Sequence, residues 1–204
     1  MSNEMLIRCC APTMASLKTG NMFNCPFESR EEMICELRRL NQILGHKGLR
    51  VLPLRWSDGR ALVYLYRPKM LEKDLRNDLA SKLLSECGYT CGNPNSCIAQ
   101  LIERLRNDQD FPHEVGLFLG YPPADVDGFM HQKHACKLSG IWKVYDDVEG
   151  ASRQFTRCKR CTEVYLQRYQ QGYSLDQLTV TACIYLPRGA ECRCVPASRP
   201  AKKK

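Results

Sequence analysis

The run Ala61-Leu62-Val63-Tyr64-Leu65-Tyr66 constrains the fold more than any other segment. Successive side chains of a β-strand point to opposite faces, so six apolar residues in a row leave neither face fit for water. The strand is therefore central and covered on both sides. It follows Leu49–Trp56 through Ser57-Asp58-Gly59, a turn sequence, so the two runs form an antiparallel hairpin. Pro53 has no N–H for a ladder, which places its strand at the outer edge or at a bulge.

Helices supply the cover. Ser29 and Glu32 have capping-box spacing, and Met33, Leu37, Leu40 and Leu44 follow on one face, with Gly45 as a stop. A second helix is expected over Met70–Cys87, striped by Leu71, Leu75, Leu79 and Leu83 and ended by Gly88. Asn93-Pro94 opens a third, with Ile98, Leu101, Ile102 and Leu105 inward. Glu114–Gly120 reads as a buried strand. Tyr121-Pro122-Pro123 breaks it and starts a short helix to about Met130, and Ile141–Tyr145 is another short strand. Asp146 or Asp147 caps a long helix to about Gln171, and Ser174–Val180 adds a helical turn. Residues 1–28 read as irregular apart from a short strand around Met22–Phe23.

The expected fold is α+β: a small mixed sheet of about four strands including one β-hairpin, helices packed on it, and a long C-terminal helix. The helix between Glu114–Gly120 and Ile141–Tyr145 allows that pair to be parallel. Residues 1–180 form a single α+β domain in this reading, and residues 181–204 a basic, disordered tail.

With 44% hydrophobic and 25% charged residues, the composition excludes disordered, collagenous and coiled-coil chains. No apolar run approaches the ~20 residues of a membrane span. The start, MSNEMLIRCC, lacks the pattern of a signal peptide. A cytoplasmic protein without a membrane span is expected. The net charge is +8, and six cations against one acid fall between Arg188 and Lys204. Such a tail reads as a solubilising, frayed end, or as a weak attractor of nucleic acid or another anionic surface without sequence preference. No signature of specific nucleic-acid binding accompanies it.

Thirteen cysteines, an odd number without a secretion signal, argue for reduced thiols rather than a disulfide framework. Structural thiols, metal ligation and redox chemistry stay open. Cys158-Lys159-Arg160-Cys161 puts two thiols on one face of the long helix, beside cations that favour thiolates. Cys158 equally fits a buried stripe with Ala151, Phe155, Tyr165 and Tyr169. His131, His134 and Cys136 have the chemistry of zinc ligands, or are solvated loop residues. Cys158, Cys161, Cys136 and His134 are thus the candidate set for zinc or iron. Cys87, Cys91 and Cys97 match no standard cluster spacing, and Cys192 and Cys194 lie in the tail.

His113 opens the run HEVGLFLG, much as a catalytic histidine opens a strand in papain-like cell-wall peptidases. Cys25 or Cys10 would then be the nucleophile. A histidine that merely ends a strand fits as well. Lys18-Thr19-Gly20-Asn21 offers an amine, a hydroxyl and backbone amides to an anion, or closes a turn onto the sheet. No phosphate loop or dinucleotide fingerprint is present. Tyr165, Tyr169 and Tyr173, with Arg168, suit either stacking on a flat ligand or helix packing.

Four stretches belong together: CAPTMASLKTGNMF (Cys10–Phe23), LGHKGLRVLPLR (Leu44–Arg55), HEVGLFLGYPPADVDGF (His113–Phe129) and SGIWKVYDD (Ser139–Asp147). With the Cys- and Tyr-rich helix that follows, they resemble a bacterial family catalogued as a domain of unknown function, over about residues 6–180. The resemblance implies a cytosolic single-domain protein of an anaerobe, encoded near flavodoxins and ferrous-iron transport proteins. It supplies no activity and no catalytic residues. The resulting expectation is a binding or accessory protein, rather than an enzyme, in metal- or redox-linked physiology, with a redox or iron-handling protein as partner. A cysteine hydrolase using His113 and a weak nucleic-acid binder are the alternatives.

Overall fold

The computed structural model describes residues 1–90, 92–107, 110–132 and 134–181. Cys91, Cys183, Cys192, Cys194 and the basic tail from Arg188 onward lie outside the described residues, so the expectations placed on them have no structural counterpart here.

The central strand is where its apolarity demands. β1 (Gly20–Pro26), β2 (Arg50–Ser57) and β3 (Arg60–Tyr66) form an antiparallel sheet in the order β1-β3-β2. β3 pairs Gly20↔Tyr66 through Pro26↔Arg60 on one side and Arg50↔Tyr66 through Ser57↔Arg60 on the other. Its residues alternate between two cores. Ala61, Val63 and Leu65 face one, and Leu62, Tyr64 and Tyr66 face the other. Pro53 sits in the outer strand β2 at an interruption of the register between Pro53 and Arg55. The Asn41 amide occupies that edge: its Nδ2 donates to the Val51 carbonyl (2.7 Å) and its Oδ1 accepts from the Val51 N–H (2.9 Å). A blunted edge resists pairing with another chain.

One face of the sheet is covered by α1 (Asn3–Met14), α2 (Arg30–Leu44), the long α8 (Val148–Gln170) and α9 (Leu175–Leu178). The other is covered by α3 (Pro68–Leu75), α4 (Asp78–Glu86), α5 (Pro94–Asn107), α6 (Val115–Phe118) and α7 (Pro123–Met130). A separate two-stranded hairpin, β4 (Leu138–Ser139) and β5 (Lys143–Val144), precedes α8.

Four local readings are corrected. Residues 3–14 are helical, with Ser2 as N-cap and Leu6, Ile7, Cys10, Ala11 and Met14 as a fully buried stripe. The expected Met70–Cys87 helix is two helices, because the Asn77 side chain accepts from the amides of Leu79 and Ala80 and starts α4 anew. Glu114–Gly120 is not a strand. Its amides bond locally, Leu117 to Glu114 and Leu119 to Val115, and Val115, Leu117 and Phe118 are all buried. A short apolar run has no period that separates helix from strand. The parallel pair consequently does not form, and every strand pair among the described residues is antiparallel.

Arg67 holds this arrangement together. It is 1% exposed and has no carboxylate partner among the described residues. Its guanidinium donates to the carbonyls of Thr13 (2.7 Å), Met14 (2.7 Å), Val180 (2.7 Å) and Lys47 (3.2 Å). Two of these carbonyls belong to the last turn of α1, the negative end of its dipole. Burial lowers the guanidinium pKa to about 10, so it stays charged at neutral pH.

Candidate functional site

The stretches His113–Phe129 and Ser139–Asp147 are separated in sequence and meet in space. Asp125 joins them. It is buried on α7, and its Oδ2 accepts from the Trp142 indole N–H (2.7 Å). Its Oδ1 accepts from the amides of Tyr145 (2.7 Å) and Asp146 (3.0 Å). One carboxylate thus fixes both the turn of the β4–β5 hairpin and the strand leaving it. Gly128 allows the seating, since a Cβ there would lie 2.6 Å from the Tyr145 ring.

The joint encloses a cavity of about 320 Å³. Its floor is Gly116 and Val126, and its walls are Tyr121, Phe129 and Trp142. Tyr121 stacks on Trp142 with centroids 5.0 Å apart, and its hydroxyl donates to the Ile141 carbonyl (3.1 Å). Trp142 is braced from behind by the edge of Phe155 at 4.5 Å. The His113 ring meets Phe129 edge-on at 4.8 Å, and the Lys143 ammonium lies 5.1 Å from the same ring. His113, Lys143 and Phe111 are exposed, so they form the mouth. A concave, largely apolar space with a few polar groups at its rim is the usual form of a small-molecule site.

The sequence singled out only His113 among these residues. Tyr121, Trp142, Phe129, Lys143 and Asp125 were legible as quoted family blocks, not as a site. Their aromatic density was visible, but nothing along the chain shows that the two blocks close on one space.

His113 is not placed beside either candidate nucleophile. Cys10 and Cys25 are buried in the core under α1 and α2, whereas His113 faces the cavity whose floor residue Val126 belongs to the opposite core. The sheet lies between. Burial also pushes both thiols up from their ordinary range, that of Cys10 well up.

Among the described residues, no three His, Cys, Asp or Glu side chains are grouped so as to hold a metal ion. Cys158 and Cys161 do share one face of α8, which packs on α1. Burial raises both, Cys161 to about 12, and outweighs the lowering by Lys18 and Arg157 at Cys158. They are therefore thiols, not thiolates, at neutral pH. Cys136 is exposed, and the His134 ring lies 5.5 Å from Tyr145. His131 turns to Asp127 (2.7 Å) rather than to either of them. Cys87 is half-buried and Cys97 buried against the α3–α7 core. Tyr165 is buried, and Tyr169 and Tyr173 pack on the α1–α2 core, so these rings face protein.

Another buried polar cluster sits behind α6. Glu114, 2% exposed, accepts from the Tyr89 hydroxyl (3.0 Å) and pairs with Arg104 Nε (2.9 Å). It ties α5 to the start of α6.

No helix among the described residues is long and apolar enough to cross a membrane. No curated protein and no solved structure matches the chain. One family does match, over residues 6–179, the span that contains both halves of the cavity. The chain belongs to the family described as "Protein of unknown function (DUF3793)".

Proposed function

We propose that the protein is a non-catalytic binding or accessory protein that holds a small, largely apolar ligand in the aromatic cavity. The observation that carries this reading is the cavity itself, built from the two family blocks and closed by the Asp125 tie. The polar end of the ligand points to the mouth, where Lys143 and His113 supply the charge and hydrogen bonding. This reading moves the binding role expected from the cysteines onto the aromatic residues. A zinc or iron site at Cys158, Cys161, Cys136 and His134, and a hydrolase centre at His113, both require side chains to converge, and neither set does so among the described residues. A redox- or iron-linked partner would then act through the bound ligand rather than through thiols.

The test uses the fluorescent aromatic anion 1-anilinonaphthalene-8-sulfonate as probe. The Trp56→Phe background leaves Trp142 as the sole indole reporter. Saturable one-to-one binding is expected, with energy transfer from Trp142. Phe129→Ala and Trp142→Ala should each weaken it about tenfold or more, with melting curves verifying that the variants fold. Equal affinity in both variants, or binding without a stoichiometry, would overturn the proposal.

A further inference from the structure

We propose that a second cavity, between Lys18 and the amino-terminal turn of α8, binds a small oxyanion, a phosphate or a carboxylate group. This cavity, of about 240 Å³, has Lys18, Gly120, Trp142, Asp147, Gly150 and Gln154 among its lining residues. Lys18 sits in the link between α1 and β1 and is 7% exposed. Among the described residues it makes no hydrogen bond and no ion pair; its ammonium lies 4.9 Å from the Tyr121 ring centroid. Burying most of a lysine side chain without pairing its charge is costly, and native interiors pair such groups. The cation–π contact offsets part of that cost and supplies no negative charge.

The surroundings favour an anion. Gly150 and Ala151 bring the first turn of a 23-residue helix to the cavity, so the positive end of its dipole adds to the Lys18 charge. Gly120 has φ +74° and would place a Cβ 2.7 Å from Thr19, so backbone comes close beside Lys18. Two carboxylates oppose an anion: Asp147, an exposed residue of the lining that accepts the Gly150 N–H through Oδ1 (2.8 Å), and Asp74, which accepts from the Thr19 hydroxyl and lies near Gly120. The thiols of Cys10 and Cys158 face Lys18 from α1 and α8, and both are held protonated by burial. Gln154 donates to the Leu17 carbonyl (2.7 Å) and keeps the Lys18 link against α8.

Burial lowers Lys18 to about 8, so the amine is mostly protonated at neutral pH. The sign follows. Between about pH 8 and 10.5 the folded chain holds fewer protons at Lys18 than the unfolded chain, so stability without an anion rises with pH across that window. An anion that needs the ammonium does the reverse, and its stabilisation fades as pH rises through about 8.

The experiment measures the melting temperature of the full chain in chloride, with inorganic phosphate or benzoate added to about 10 mM at constant ionic strength. The lysine carries the discrimination. Wild-type protein should show a saturable rise with at least one anion, lost in Lys18→Met and fading above about pH 8. A rise with phosphate alone marks a phosphoryl ligand, and a rise with benzoate alone marks a carboxylate. In parallel, acetic anhydride labelling of wild-type Lys18, read by peptide mass spectrometry, should slow in the stabilising anion, which decides the matter even if Lys18→Met does not fold. The same shift in Lys18→Met, or neither a shift nor protection with either anion, overturns the proposal. Trp142 lines both cavities, but Phe129 lines only the aromatic one, so Phe129→Ala separates the two readings and either can fail alone.

Discussion

At the scale of single residues, Arg67 illustrates how a sequence can hide what it requires. It stands between an apolar strand and Pro68 and looks like the polar end of a hairpin. In the fold it is among the most deeply buried large side chains, and four carbonyls from three parts of the chain converge on it. The planar fork of a guanidinium reaches several acceptors at once, which a lysine cannot do. Arg67→Met should therefore lower unfolding free energy by at least about 3 kcal/mol in urea titrations, since each carbonyl left dry costs about 1–3 kcal/mol. A loss below about 1 kcal/mol would mean that water replaces the guanidinium without strain. Lys18 was visible as a residue type suited to anions, but that it forms no ion pair among the described residues is a tertiary fact.

At the scale of elements, helices with regular stripes and caps read correctly. α2 starts after its Ser29 cap, α5 at Pro94, and α8 after Asp147, one of the two caps the residues offered. Two failures have local causes. In α1 the stripe Leu6, Ile7, Cys10, Ala11, Met14 was present, but Pro12 inside the last turn and the Cys9-Cys10 pair obscured it. In α6 four residues were too few for any period to show, and contact with Tyr64, whose hydroxyl donates to the Phe118 carbonyl (2.5 Å), belongs to the fold rather than to the segment. The β4–β5 hairpin depends on another element altogether. With two residues per strand it has little stability of its own, and Asp125 of α7 supplies its anchor. Asp125→Ala should release it: in the Trp56→Phe background, Trp142 emission should shift to the red and probe affinity should fall about tenfold, while the main unfolding transition persists. Unchanged emission would show that the aromatic stack alone holds the hairpin.

At the scale of the whole molecule, the sheet separates two sets of side chains that the sequence allowed to meet. Cys10 and Cys25 lie with α1 and α2, and the His113 cavity belongs to the other side. Most described thiols are sheltered and raised, so site-resolved labelling with a disulfide reagent at neutral pH should find Cys35 and Cys136 reacting fast. Cys10, Cys97 and Cys158 should react only at the rate of opening. Fast labelling of Cys25 that depends on His113 would restore the hydrolase reading. The sequence by itself determined the central hairpin, the edge position of Pro53, the long capped helix and the α+β class, because periodicity, caps and turns act within a few residues. Tertiary structure alone decided which aromatic residues line a cavity, which lysine was buried and which thiols were shut away. Those properties are set by burial and by partners more than a hundred residues apart, as between Leu17 and Gln154 or Arg67 and Val180, and no local pattern records them.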